Sequence, residues 1–219
     1  MSILRDPKSP GSDADIDSSV KTLLRIRDDI DGVSDRVNQM EWLRKQFEVI
    51  ETMLRPPKKK EKEKPPVPVT DDEEEFAEPE PAQEPALDEA QAKKKSEMLK
   101  TVQAIDQKVQ AIEYKFVSPA LVNSDDKYYV ESYRVYLNLI WLNAEVGTGG
   151  GDVAGGADFT PTDTQLDSLK TMETEIIGAT VDYQKLLNED LPAFNRFLAA
   201  NNVATVLAAA GTGAQDSAE

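Results

Sequence analysis

The sequence contains no cysteine and no histidine. The first absence removes thiol nucleophiles and thiolate metal ligands. The second removes imidazole acid/base work, Ser-His-Asp triads and zinc sites of the usual kind. Only carboxylate, lysine, tyrosine, serine and threonine chemistry is left. Basic residues are scarce as well, 25 against 41 acids, for a formal net charge of −16. A phosphate backbone needs a concentrated Lys/Arg surface, so DNA and RNA are set aside as partners. No apolar run reaches the roughly 18 residues of a membrane span, and the first residues lack the apolar stretch of a signal peptide. The chain therefore reads as soluble, with no membrane span and no export address. Oxidising compartments permit disulfides without requiring them, so the lack of cysteine fits a cytoplasm and a bacterial periplasm equally, and localisation stays open.

What is present is helical periodicity. Ser12 with Asp15 three residues on forms a capping box, and the clustered acids suit the positive end of a helix dipole. Apolar residues then recur at Ile16, Val20, Leu23, Ile26, Ile30, Val33, Val37, Met40, Leu43, Phe47, Ile50 and Leu54. Steps of three and four predict a first helix over 12–55, roughly 60 Å long at 1.5 Å per residue. Gly32 inside it allows a bend, and Pro56-Pro57 ends it at Arg55. The stretch "KKKEKEKPPVPVTDDEEEFAEPEPAQEP" follows, a basic, then a proline, then an acidic block. Having almost no apolar side chains to bury, it reads as a disordered charged linker over 56–85.

A second helix is expected from near Ala86 or Leu87, periodic at Met98, Val102, Ile105, Val109, Ile112 and Phe116 and closed by Pro119. Asn123 and Ser124 offer caps for a third, whose wide face carries Val130, Tyr133, Leu137, Ile140, Trp141 and Ala144. Thr160 as N-cap with Pro161 at the first helical position predicts a fourth, buried through Leu166, Leu169, Met172, Ile176, Ala179, Tyr183 and Leu186. Asn188-Glu189-Asp190 reads as a corner, with Asp190 capping a short last helix that ends near Asn201-Asn202. The expected fold is all-α, an antiparallel four-helix-bundle-like module. In it, 86–201 completes one bundle with 12–55, a strand-like exit segment occupies 1–11, and 202–219 is a flexible tail.

No constellation for chemistry emerges. Gly149, Gly151 and Ala154 spell G-x-G-x-x-A, but the β-strand that a dinucleotide site requires in front of it is replaced by a helix. Asp152 and Asp158 make one imperfect copy of a calcium repeat. Adjacent acids such as Asp28-Asp29 or Asp125-Asp126 diverge on a helix and form no acid/base pair. The Glu-x-x-His of di-iron bundles needs a histidine, and the predicted buried stripes offer no acids for a carboxylate-only metal site. The expectation is a non-enzyme with no catalytic residue, cofactor or metal. Large aromatics at helical spacing usually serve packing, in a core or an interface. Trp42 and Trp141 belong here, and Tyr128 and Tyr129, on one turn, cannot both face inward. These four are the candidate interface residues.

Two further stretches carry a resemblance. The first is the corner Arg5, Asp6, Pro7, Lys8 and Ser9, followed after a gap by Val37, Asn38, Leu43, Arg44 and Gln46. The second is Ala157, Asp158, Pro161 and Thr162, with Asp190, Leu191, Phe194, Asn195 and Leu198 beyond. Together they resemble the C-terminal helical region of large bacterial sortilin-like proteins with Asp-box (BNR) β-propellers, often labelled glycosyl hydrolases. There an R-D-P-R-S type corner leads to a helix with V-N-x-x-x-x-L-R-x-Q, and A-D-x-x-P-T leads to D-L-x-x-L-N-x-x-L. The resemblance implies that "ILRDP" is the last strand and exit turn of a β-domain. It implies a non-catalytic accessory module that packs on the β-propeller or β-sandwich domains of an exported parent protein. The propeller is not in this sequence, so no enzymatic label transfers to any residue. A reading from another class is a free-standing coiled-coil adaptor or homo-oligomer that uses the Ile16-to-Leu54 stripe.

Overall fold

The computed structural model describes residues 11–55, 89–119, 133–148 and 159–208. The expected strand-like start, the linker over 56–85, Tyr128 and Tyr129, and the glycine-rich 149–158 lie outside them. So do the predicted caps Asn123 and Ser124. Among the described residues the chain is all-α and bundle-like. It comprises α1 (Asp13–Leu54), α2 (Glu89–Phe116), α3 (Val135–Thr148), α4 (Asp163–Lys185), a π-helical turn (Leu186–Asp190) and α5 (Leu191–Ala200).

α1 starts where the sequence places it. The Ser12 hydroxyl accepts from the Asp15 amide at 3.2 Å, and the Asp15 carboxylate accepts from the Ser12 amide at 2.9 Å. The helix runs unbroken through Gly32 for 42 residues. Its seam keeps a strict seven-residue spacing, Ile26, Val33, Met40, Phe47 and Leu54, with Leu43 and Ile50 between them, all buried. Extended backwards, that spacing lands on Ser19 and Thr22, which are buried, while Val20 from the predicted stripe is 47% exposed. The correction has a simple cause. A seam held to period 3.5 drifts from one chosen residue by residue for greasiness, and small polar residues fit it when their hydroxyls turn back on the helix. Thr22 does so, donating to the Ser18 carbonyl at 2.9 Å.

The fourth predicted helix begins one turn feature later than expected. Thr162, not Thr160, is the N-cap, and Gln165 completes a reciprocal box with it. Thr160 instead donates its hydroxyl to Asp15 Oδ1 at 2.5 Å, tying the entrances of α1 and α4 together. The corner expected at 188–190 does not exist. Asp190 has helical dihedrals and caps nothing, and the chain continues from α4 into α5 through one wide turn, with the Leu191 amide bonded to the Leu186 carbonyl. Pro192 explains the widening: it has no N–H for the carbonyl of residue 188, and its ring would collide with that carbonyl in a regular helix. α4, the π turn and α5 thus make one rod over 163–200.

Cross-links give the directions. Arg25 pairs with Glu173, and Tyr183 donates to Gln39 Oε1 at 2.8 Å, so the 163–200 rod runs parallel to α1. Lys115 pairs with Asp182 and Lys108 with Asp190 at 2.9 Å, so α2 runs antiparallel to both. α2 lies along the C-terminal half of α1, where Arg44 meets Asp106 and Glu113. α3 covers the N-terminal half, where Gly147 faces Leu23. One continuous core joins all five helices. Phe47 and Phe194 meet edge to face in it, with ring centroids 5.5 Å apart.

α3 requires another correction. Val135, Leu139, Leu142 and Val146 enter the core, while Ile140 and Trp141 are 39% and 52% exposed. Of the predicted stripe, Leu137 is buried as expected, but Ile140 and Trp141 lie on the outer face. Both faces of this helix are apolar, and the sequence alone does not say which one turns inward.

Candidate functional site

The candidate residues separate in space. Trp42 is 52% exposed on the back of α1, opposite the seam, and Trp141 is equally exposed on α3. With α3 set against Leu23, the two indoles lie about 20 Å apart along the bundle at 1.5 Å per residue. Neither belongs to the core. Trp42 shares its helix face with Val49 and Met53, seven and eleven residues on, which are 57% and 69% exposed. The same face carries Val20 and Leu24 further toward the N-terminus, and Asp31, Asp35 and Asn38 interrupt it. The result is a short apolar patch at the end of α1, bordered by acids.

Leu207, 71% exposed, is fastened beside this patch. α5 ends in a Schellman motif. Asn202 takes the left-handed conformation, φ 57°, its amide bonds to the Ala199 carbonyl, and the Val203 amide reaches back to Leu198. The chain then turns along the bundle. Val206 is buried and joins the core, and Asn195 and Gln46 hold the backbone of residues 206 and 207. The expectation of a flexible tail from 202 is thus corrected for 203–207. Val206 stands outside any helical period, and its burial depends on two amides from other helices.

Among the described residues one charged group is fully buried. Glu113 sits on α2 with no exposed surface, and one carboxylate oxygen accepts from Arg44 at 2.9 Å. The other oxygen has no hydrogen-bond partner. Burial pushes its pKa above the ordinary value, against the pull of Arg44, with Glu41 and Asp106 adding to the rise. Burial also works against the Arg44 cation, and Asp106 at 3.1 Å together with Glu113 more than offsets it. Glu113 adjoins Ile112 of the predicted α2 stripe, a buried acid that the stripe itself did not include. Asp29 is likewise raised, first by burial and then by Glu173. The Tyr183 phenol, donating to Gln39, is pushed up to about 12 by burial.

These are structural arrangements. The cleft beside Glu113 is lined by Glu41, Arg44, Lys45, Glu48, Glu51 and Asp106, four acids against two bases. A second cleft between α2 and α4 holds the Lys108–Asp190 and Lys115–Asp182 pairs. Among the described residues, no three acids converge in a way that could hold a metal ion. No helix there is long and apolar enough to cross a membrane. Arg44, Gln46 and Asn195, all quoted above for the resemblance, each hold another element in place: Arg44 holds α2, and the two amides hold the segment after α5. Comparisons with protein-family models, with curated proteins and with solved structures each found no match for this chain.

Proposed function

We propose that the chain is a non-catalytic helical interaction module that packs on a protein partner, the β-domains of a sortilin-like propeller protein being the partner that its sequence resembles. The observation that carries this reading is the apolar patch of Trp42, Val49 and Met53, which faces away from a core that is already complete. A tryptophan in such a place, rimmed by polar groups, has the composition of an interface anchor. The self-associating coiled-coil reading needs the α1 seam to be free. From Ile26 to Leu54 that seam is already buried within the chain's own core, chiefly against α2 and α3, which favours the first reading.

The test is site-specific photocrosslinking in the cells that make the protein, with a photoreactive amino acid at position 42. The expected product is an adduct with a polypeptide containing a β-propeller or β-sandwich domain. Adducts confined to a second copy of the chain would instead support the oligomer, and no adduct at all would remove the patch as an interface.

A further inference from the structure

Residues 206 and 207 are held in an unusual way. The Asn195 side-chain amide donates to the Val206 carbonyl and accepts from the Val206 N–H, both at 2.9 Å. The Gln46 side-chain amide does the same for Leu207, again at 2.9 Å for both bonds. Asn195 belongs to α5 and Gln46 to α1, so the two amides come from different walls. In an extended strand the N–H and C=O of one residue point to one edge and those of the next residue to the other, while side chains alternate up and down. The segment follows this pattern: its two backbone edges meet opposite walls, Val206 is 2% exposed and Leu207 is 71% exposed. Each amide substitutes for a neighbouring β-strand.

A clamp that bonds only backbone does not read sequence; the side chain it buries fully is Val206, a small β-branched residue, while Val203 packs half-buried against the core at the turn. From this geometry we infer that the groove between α1 and α5 is a peptide-binding site, occupied in cis by the chain's own 203–207. Its ligand in trans is an extended peptide of a partner protein that places a valine-like side chain in the Val206 position. Main-chain pairing gives such a site affinity and the single pocket gives it selectivity, as in strand addition to a sheet edge. Among the described residues the occupant joins the bundle through the Schellman turn and pairs with no strand, so exchange requires its four side-chain-to-backbone hydrogen bonds and the packing of Val203 and Val206 to be replaced in kind. This inference does not depend on the propeller-associated reading, because it concerns the groove and not the outer patch.

The experiment uses the full chain carrying Val206→Asp, which ejects the segment, and Trp141→Phe, which leaves Trp42 as the fluorescent reporter beside Gln46. The probe is the blocked hexapeptide Val-Ala-Thr-Val-Leu-Ala, copied from 203–208. Saturable binding is expected for the variant, at least tenfold tighter than for the chain with native Val206, whose groove is filled. Adding Gln46→Ala should weaken binding at least tenfold, as should replacing the fourth residue of the peptide by aspartate. No saturable binding to a variant that keeps its helical circular dichroism overturns the inference. Should Val206→Asp fail to fold, native-state hydrogen exchange on the unmodified chain decides. The Val206 and Leu207 amides should exchange at least a hundredfold faster than those of Phe47 and Phe194, through opening of the segment alone; exchange only together with them overturns the inference.

Discussion

Removing Arg44 and removing Glu113 should have opposite consequences, although the two are one ion pair. Glu113 is buried completely, whereas the Arg44 side chain keeps 26% of its surface and a second partner in Asp106. In Arg44→Met, the carboxylate stays buried and loses its only hydrogen bond. Opposite unit charges near 4 Å are worth about 4 kcal/mol at an effective dielectric of 20, and breaking a buried pair from one side costs about 3–5 kcal/mol. A loss of about 3–4 kcal/mol at pH 7 is therefore expected. In Glu113→Met, no charge is left stranded, because Arg44 still meets Asp106 and water. Stability should then stay within about 1 kcal/mol of the parent or rise.

The pH dependence follows from the direction of the shift. The folded chain holds the Glu113 proton more tightly than the unfolded chain, whose ordinary value is 4.5. Its contribution to stability is complete below that pH and declines as pH rises through the raised folded value. Without Arg44 the folded value rises further. The penalty of Arg44→Met relative to the parent should therefore shrink between pH 7 and pH 5, by up to about 1.4 kcal/mol per pH unit. Urea unfolding followed at 222 nm at the two pH values measures it. Equal losses for the two variants, unchanged by pH, would refute the reasoning.

Other substitutions probe the remaining features. Trp141→Ala should lower the unfolding free energy measured in urea by less than about 1 kcal/mol, because the indole is half exposed, while Leu139→Ala on the inner face of the same helix should cost about 2–5 kcal/mol. Asn202→Ala forces an ordinary L residue into the left-handed cap and should cost about 1 kcal/mol. Gly32→Ala should raise the melting temperature slightly. A Cβ there meets only the end of the Arg36 side chain, at 2.9 Å, and the helix gains about 1 kcal/mol of propensity while weakening the bond from Arg36 to the Gly32 carbonyl.

The helices themselves were legible because 3.5–3.6 periodicity and caps are local. The Ser12 box, the α1 seam from Ile26 onward and the end near Asn201 all follow from residues within a turn or two of one another. What was not legible needed a partner from elsewhere in the chain. Pro192 reads as a helix start until a π turn absorbs it. Trp141 and Leu139 are equally greasy, and only the position of α1 decides which one is covered. Gln46 and Asn195 look like ordinary surface amides, since the backbone they hold lies 161 and 11 residues away. Glu113 sits in the periodic run of α2 beside Ile112 and looks solvated until Arg44 reaches across from α1.

The α1 seam is closed within its own chain, and the outer patch of Trp42, Val49 and Met53 is left exposed. Sedimentation equilibrium of the purified chain across a wide concentration range tests this most directly. A single species of 24.2 kDa at every concentration is expected. A stable dimer that disappears when Met40 and Phe47 are replaced by polar residues, with the helical signal retained, would contradict it.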